Sequence, residues 1–277
     1  MTDAPEPVGE GVWRLALRTP TLPPATHTNT YLVGGAAFLV VEPGSPFEDT
    51  QARLAEAVSR RIAQGHRFEA IVVTHHHPDH VGGVGALQRA FGVPLWAHPE
   101  TARKLQGALS VDRALPEGDE AVEPFGVRAL HTPGHAPGHL CLRERQGRWT
   151  LVGDMVASVG TILIDTEDEG DMEAYLSQLR RLADLGPGRL LPAHGDPVDD
   201  GPAYLQGYVR HRLAREARVY AAVAEGGTDE ATVAEEAYRE VFAEVPALAL
   251  RSTLAHLERL RLHGRVRRDG PGRWRRA

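Results

Sequence analysis

The stretch Ile71-Val72-Val73-Thr74-His75-His76-His77-Pro78-Asp79-His80-Val81-Gly82-Gly83 puts four histidines and an aspartate within six positions. Imidazole nitrogens and carboxylate oxygens are ligands for zinc-like ions. The apolar run that leads in reads as a strand. If its extension persists, His75 and His77 point one way and His76 the other. Pro78 fixes a turn, Asp79 and His80 open the next helix, and Gly82-Gly83 permits close backbone approach. One cluster rarely closes a metal site, and three other places offer donors. They are "HTPGHAPGH" (131–139), Asp154 directly after the apolar "WTLVG", and His194 in "LLPAHGD". Each sits in a strand-exit loop, where α/β enzymes build their sites. A divalent ion held there lowers the pKa of bound water and makes a nucleophile at neutral pH. No serine or cysteine nucleophile is required, and Cys141, between Leu140 and Leu142, reads as a buried small thiol.

The elements that must position these donors follow from periodicity. Residues 12–17 alternate like a strand, and 29–44 read as two strands around Gly34-Gly35. Residues 47–64 have helical spacing and stop at Gly65. Residues 69–74 form a short continuous apolar run, as in a strand buried on both faces. The spacing predicts a helix over 82–92, then a strand "VPLWAHP", and further strands at 126–132, 139–145 and 148–154. An amphipathic helix over 172–186 ends at Gly186-Pro187, and 189–196 is a last strand with its exit turn. Hairpins mixed with alternating strands and helices make this an α/β body of layered sheets and outer helices.

The turn-rich 195–202 stretch marks a boundary, giving domains 1–200 and 201–277. Beyond it come three helices, the second capped by Asp229, and a basic hairpin, the order of a winged-helix unit. Net charge is −6, but residues 251–277 hold nine arginines against Glu258 and Asp269, so the rest carries −13. A basic tail behind an acidic body suits an anionic partner such as nucleic acid, or is simply a solvated hairpin. The 277 residues and 42% apolar content are ordinary for a globular protein. No secretory signal or membrane-length apolar run is evident, and a single cysteine fits a reducing, cytoplasmic setting.

HxHxDH, a TPGH loop, a strand-GD and a PxHG, in that order, resemble the motif series of the metallo-β-lactamase superfamily. The resemblance implies an αββα sandwich and two metal sites. His75, His77 and His135 would bind one ion; Asp79, His80 and His194 would bind the other; Asp154 would bridge them. Asp79 would also orient the hydroxide or return a proton. His139 and Glu42 would stand behind the ligands, although Glu42 occupies a place where relatives usually have Asp. His76 and His131 would be structural. The implied cofactors are two divalent ions, zinc foremost, with iron or manganese also compatible.

Asp154 replaces the thiolate of the resistance-type lactamases, which resembles the thioesterase, phosphodiesterase and nuclease branches. Only 39 residues separate Asp154 from His194, too few for the inserted domain of the RNA-processing nucleases of this superfamily. After the ligands, "GTILIDTEDEGDMEAYLSQL", "YVRHRLAREARVY" and the unit ending "STLAHLERLRLHGRV" resemble the lactamase-beta-like protein 2 group, which includes a single-strand RNA endonuclease. The expected activity is therefore hydrolysis of a single-stranded RNA phosphodiester. The alternative is a thioester or small ester, as in the glyoxalase II branch. Less favoured are a mononuclear-iron persulfide dioxygenase and a winged-helix regulator that binds nucleic acid and keeps a vestigial metal site. The expected partners are thus an RNA or a small thioester and no membrane. The resemblance is compatible with a dimer, and the sequence leaves the oligomeric state open.

Overall fold

The computed structural model describes residues 4–277. The chain forms two compact units: one made of residues up to Thr132, Gly138–Thr161 and Leu185–Pro202, the other of Pro133–Pro137, Ile162–Asp184 and Ala203–Ala277.

The first unit is two stacked sheets with helices on one of them. Strands β1 (Glu6–Gly9), β2 (Val12–Arg18), β3 (His27–Gly34) and β4 (Ala37–Val41) form an antiparallel meander. After helix α1 (Glu48–Ala63), β5 (Arg67–Val72) joins β4 in parallel. Two short helices follow, α2 (Pro78–Val81) and α3 (Val84–Phe91), then β6 (Leu95–Ala97), α4 (Pro99–Leu105) and β7 (Arg113–Ala114), which complete a seven-stranded sheet. Strands β8 (Val127–His131), β9 (Leu140–Glu144), β10 (Trp149–Gly153) and β11 (Arg189–Pro192) make a four-stranded sheet ordered β11-β10-β9-β8.

Period-2 alternation places the core on both faces of the first sheet. In β4, Leu39 and Val41 turn inward to meet Val127, Ala129, Leu140, Leu142 and Leu151 of the second sheet. Phe38 and Val40 turn outward onto Leu54 and Val58 of α1 and Val84 and Leu87 of α3. β5 splits in the same way, Ala70 and Val72 facing one core and Ile71 the other. That double burial is why its apolar run is continuous. The helix expected over 82–92 is α3, which starts at Val84, and the one-turn helix α2 precedes it across Gly82-Gly83. A Cβ on Gly83 would lie 2.6 Å from the carbonyl oxygen of Pro43, so the chain passes close beside that loop there.

The second unit contains α5 (Met172–Asp184), α6 (Gly201–Ala222, whose first two residues belong to the first unit), α7 (Glu230–Ala237) and α8 (Pro246–Leu262). Strands β12 (Thr228–Asp229), β13 (Val266–Arg268) and β14 (Arg273–Arg276) form its small sheet. Asp229 caps α7, its Oδ1 accepting from Thr232 N at 2.9 Å. The core packs Val219, Val233, Leu257 and Val266 around Trp274, which is fully buried. Trp274→Ala is expected to cost about 3–5 kcal/mol. Urea unfolding followed by circular dichroism checks this, and a loss below about 1 kcal/mol contradicts the packing. Among the described residues no helix is long and apolar enough to cross a membrane.

Candidate metal centre

β5 ends at Val72, so the histidine cluster lies in the loop that follows. His75 is fully buried there. Its Nδ1 lies 2.9 Å from Thr74 Oγ1, and its Nε2 lies 2.9 Å from His77 Nδ1. Those two nitrogens converge although the strand has ended, so the loop rather than strand alternation brings them together.

α2 delivers Asp79 and His80 because Pro78 starts it with a preset φ. His80 is fully buried. Its Nδ1 meets a carboxylate oxygen of Glu42, while the other oxygen of Glu42 accepts from Thr74 N at 2.6 Å. Glu42 is buried with φ 62°, an unusual value for a residue with a side chain. Its carbonyl, accepting from Thr30 Oγ1 at 2.6 Å, and its NH, on Val72 O, hold it in that state. Glu42 thus hydrogen-bonds an imidazole despite its extra methylene, because the left-handed backbone turns the longer side chain back toward β5.

His194 follows β11, its Nδ1 3.0 Å from the carbonyl of His27. A carbonyl only accepts, so that nitrogen carries the hydrogen and Nε2 presents a lone pair. His80 Nε2 is buried without a hydrogen-bond partner. It stands 3.7 Å from Asp79 Oδ1 and 3.6 Å from Asp154 Oδ1. His194 Nε2 stands 3.6 Å from Asp79 Oδ2 and 3.4 Å from Asp154 Oδ1. With bonds of 2.0–2.1 Å, ligands of a tetrahedral ion sit about 3.3–3.4 Å apart. Asp79, His80 and His194 therefore fit a divalent ion, and their donor atoms group as such a site would.

The electrostatics agree. Burial pushes His80 down, but Glu42, Asp79 and Asp154 outweigh it and hold the imidazole well above its ordinary value. Burial pushes Asp154 up, but His194 and His80 hold it well below the usual carboxylate range. His194 is raised against burial by Asp154. The buried carboxylates demand positive charge, which protons on imidazoles or a metal cation supply.

His139 is fully buried, and its ring is spent on the protein. Nε2 accepts from Asp154 N at 3.0 Å, so Nδ1 carries the hydrogen toward Thr132 Oγ1 at 2.8 Å. His135 lies in Pro133–Pro137, grouped with the second unit, with Nδ1 2.8 Å from Leu163 O. His131 stacks on His98, centroids 4.0 Å apart. Cys141 is buried and free of any disulfide.

Asn29 is a contributor that periodicity does not single out. It is buried on β3 and donates to Pro192 O at 2.9 Å and Gly195 O at 2.7 Å, fixing the turn that carries His194. Its only sequence signal is a polar amide inside a run expected to be strand. The basic tail also differs from its formal charge. Arg251 pairs with Asp165, Arg259 with Glu173 and Glu216, Arg261 and Arg268 with Glu258, and Arg273 and Arg275 with Asp269. Arg265 and Arg276 lie over Tyr220.

Residues 23–194 match the metallo-beta-lactamase superfamily, and 231–274 match the beta-lactamase associated winged helix domain. The lactamase-like protein adaB of Aspergillus niger is 31% identical over 223 residues, 79% of this chain and 65% of that protein. The chain thus spans just under two thirds of that relative's length. The atrochrysone carboxyl ACP thioesterase of Aspergillus fumigatus is 30% identical over 71% of this chain and 59% of its own. A beta-lactamase-like protein 2 homolog of Drosophila melanogaster is 26% identical over 69% and 66%. Among solved structures, a metallo-beta-lactamase family protein of Thermus thermophilus superposes with TM-score 0.79, covering 98% of this chain and 100% of its own at 24% identity. TTHA1623 in a di-iron-bound form matches with TM-score 0.54 over 68% of this chain and 97% of its own at 30% identity.

Proposed function

Since the chain belongs to the metallo-β-lactamase superfamily and carries its winged-helix partner domain, we infer that it is a metal-dependent hydrolase acting on an acyl thioester. His75, His77 and His135 would hold one divalent ion and Asp79, His80 and His194 the other, with Asp154 as the donor the two would share. When bound, such ions lower the pKa of a shared water toward 7 and polarise the substrate oxygen. Zinc suits the nitrogen-rich set, and iron is chemically compatible, as in the di-iron relative. Glu42, Thr74 and the carbonyl of His27 orient imidazoles. His139 holds the backbone NH of Asp154. Asp79, the partly exposed carboxylate of the set, is placed to align the attacking water and return its proton to the leaving group.

The internal pairing of the C-terminal arginines carries the choice of substrate. Asp165, Glu173 and Glu216 lower the +7 of residues 251–277 to +4, which reduces the charge left for a phosphate backbone, whose binding depends on releasing counterions. The thioesterase among the relatives points the same way. Likeness to beta-lactamase-like protein 2 keeps a single-stranded RNA phosphodiester as the second reading. The test is a parallel assay of metal-loaded protein on acyl-coenzyme A or acyl-pantetheine thioesters and on single-stranded RNA, with Asp154→Ala as the blank. Thiol release that Asp154→Ala lacks is expected. RNA cleavage with no thiol release would reverse the substrate assignment.

A further inference from the structure

Arg212 of α6 is among the largest fully buried side chains of the protein, at 2% exposure. Burying a guanidinium costs several kcal/mol unless its donors are met. Here one terminal nitrogen donates to the carbonyl of Ile162, and the guanidinium carbon lies 5.5 Å from the ring centre of Tyr175 on α5. Three residues further along, Asp165 pairs with Arg251 of α8. Asp165 also closes its own turn, its Oδ1 accepting from Glu167 N at 3.1 Å and its carbonyl from Gly170 N at 2.7 Å. The segment 162–165 is thus held at both ends by arginines from two different helices. Ile162 and Ile164 are buried, which fixes the direction of the peptide between them.

That peptide presents Leu163 O to His135 Nδ1 at 2.8 Å. The carbonyl can only accept, so it selects the imidazole form with hydrogen on Nδ1 and the lone pair on Nε2. The backbone beside His135 is held from the same side. Gly134 O accepts from Asp171 N at 2.8 Å, and a Cβ on Gly134 would collide with the backbone of Tyr175. We propose that Arg212 and Arg251 are positioning residues that, through the carbonyl of Leu163, set the tautomer and orientation of His135 for metal binding. This deepens the hydrolase reading and rests on His135 being a ligand.

The test uses the full chain. Arg212→Met keeps bulk and removes the donors; Arg251→Gln removes a half-exposed charge and leaves the core alone. Nitrogen-15 NMR of the metal-free protein reads the His135 tautomer, and zinc titration against a chelator reads the affinity of each ion. Wild type is expected to show hydrogen on Nδ1. Arg212→Met is expected to mix the two tautomers and weaken one of two zinc ions by about 10–100-fold, the size of effect typical of groups behind a ligand. Arg251→Gln is expected to do the same more weakly and decides the matter if Arg212→Met fails to fold. An unchanged tautomer and unchanged zinc affinity in the folded variants would overturn the proposal. Wild type that binds no metal would sink the hydrolase reading instead, while the tautomer comparison would still judge the arginines.

Discussion

Asp154→Ala is expected to lower kcat/KM for the proposed thioester substrate by about 10³-fold or more, equivalent to about 4 kcal/mol of transition-state stabilisation. The expectation follows from where the carboxylate sits. Its Oδ1 is 3.6 Å from His80 Nε2 and 3.4 Å from His194 Nε2. As the bridging ligand it would be the one donor shared by both ions, so its removal loosens both. The fold has little reason to suffer. Asp154 follows β10, and the hydrogen bond that places it uses its backbone NH, which alanine keeps. Circular dichroism should match wild type, and elemental analysis should show less than two bound ions per chain. Wild-type turnover together with full metal content would refute the assignment.

The grouping of candidate donors is partly legible in the chain because it is local. His75 to His80 lie close together, after a strand that an apolar run predicts and beside a short helix that a proline opens. What escapes reading depends on partners distant in sequence. The charge of residues 251–277 counts as +7, yet Arg259 finds Glu173 and Glu216, and Arg251 finds Asp165, 86 positions away. Composition reports charge, and only the fold reports pairing. Arg212 is the extreme case. In "YVRHRLAREARVY" it looks like one more solvated arginine, and its burial is decided by a carbonyl 50 positions earlier. Glu42 is expected from the sequence as a hydrogen-bond partner of a histidine, but its left-handed backbone is not, since that conformation usually belongs to Gly, Asn or Asp.

Gly44→Ala removes function without altering any ligand. A Cβ on Gly44 would overlap the carbonyl group of Asp79 and come within 3.2 Å of His80 Cα. The obstruction is backbone, so no side chain can swing aside. The opposite contact is also tight, because a Cβ on Gly82 would lie 2.6 Å from Gly44 O. The loop after β4 and the turn carrying Asp79 and His80 therefore interlock, and even one methyl must drive them apart. Overpacking of this kind costs about 1–3 kcal/mol, and a rigid backbone obstruction puts Gly44→Ala near the upper end. The displaced turn would carry two of the donors away from His194 and His80 away from Glu42. Zinc titration is expected to show one ion retained and the other weakened by at least about 100-fold. Gly35→Ala is the matched control, since a Cβ there meets nothing within 4 Å. If Gly44→Ala melts with wild-type stability and keeps both ions, the interlock does not position the centre.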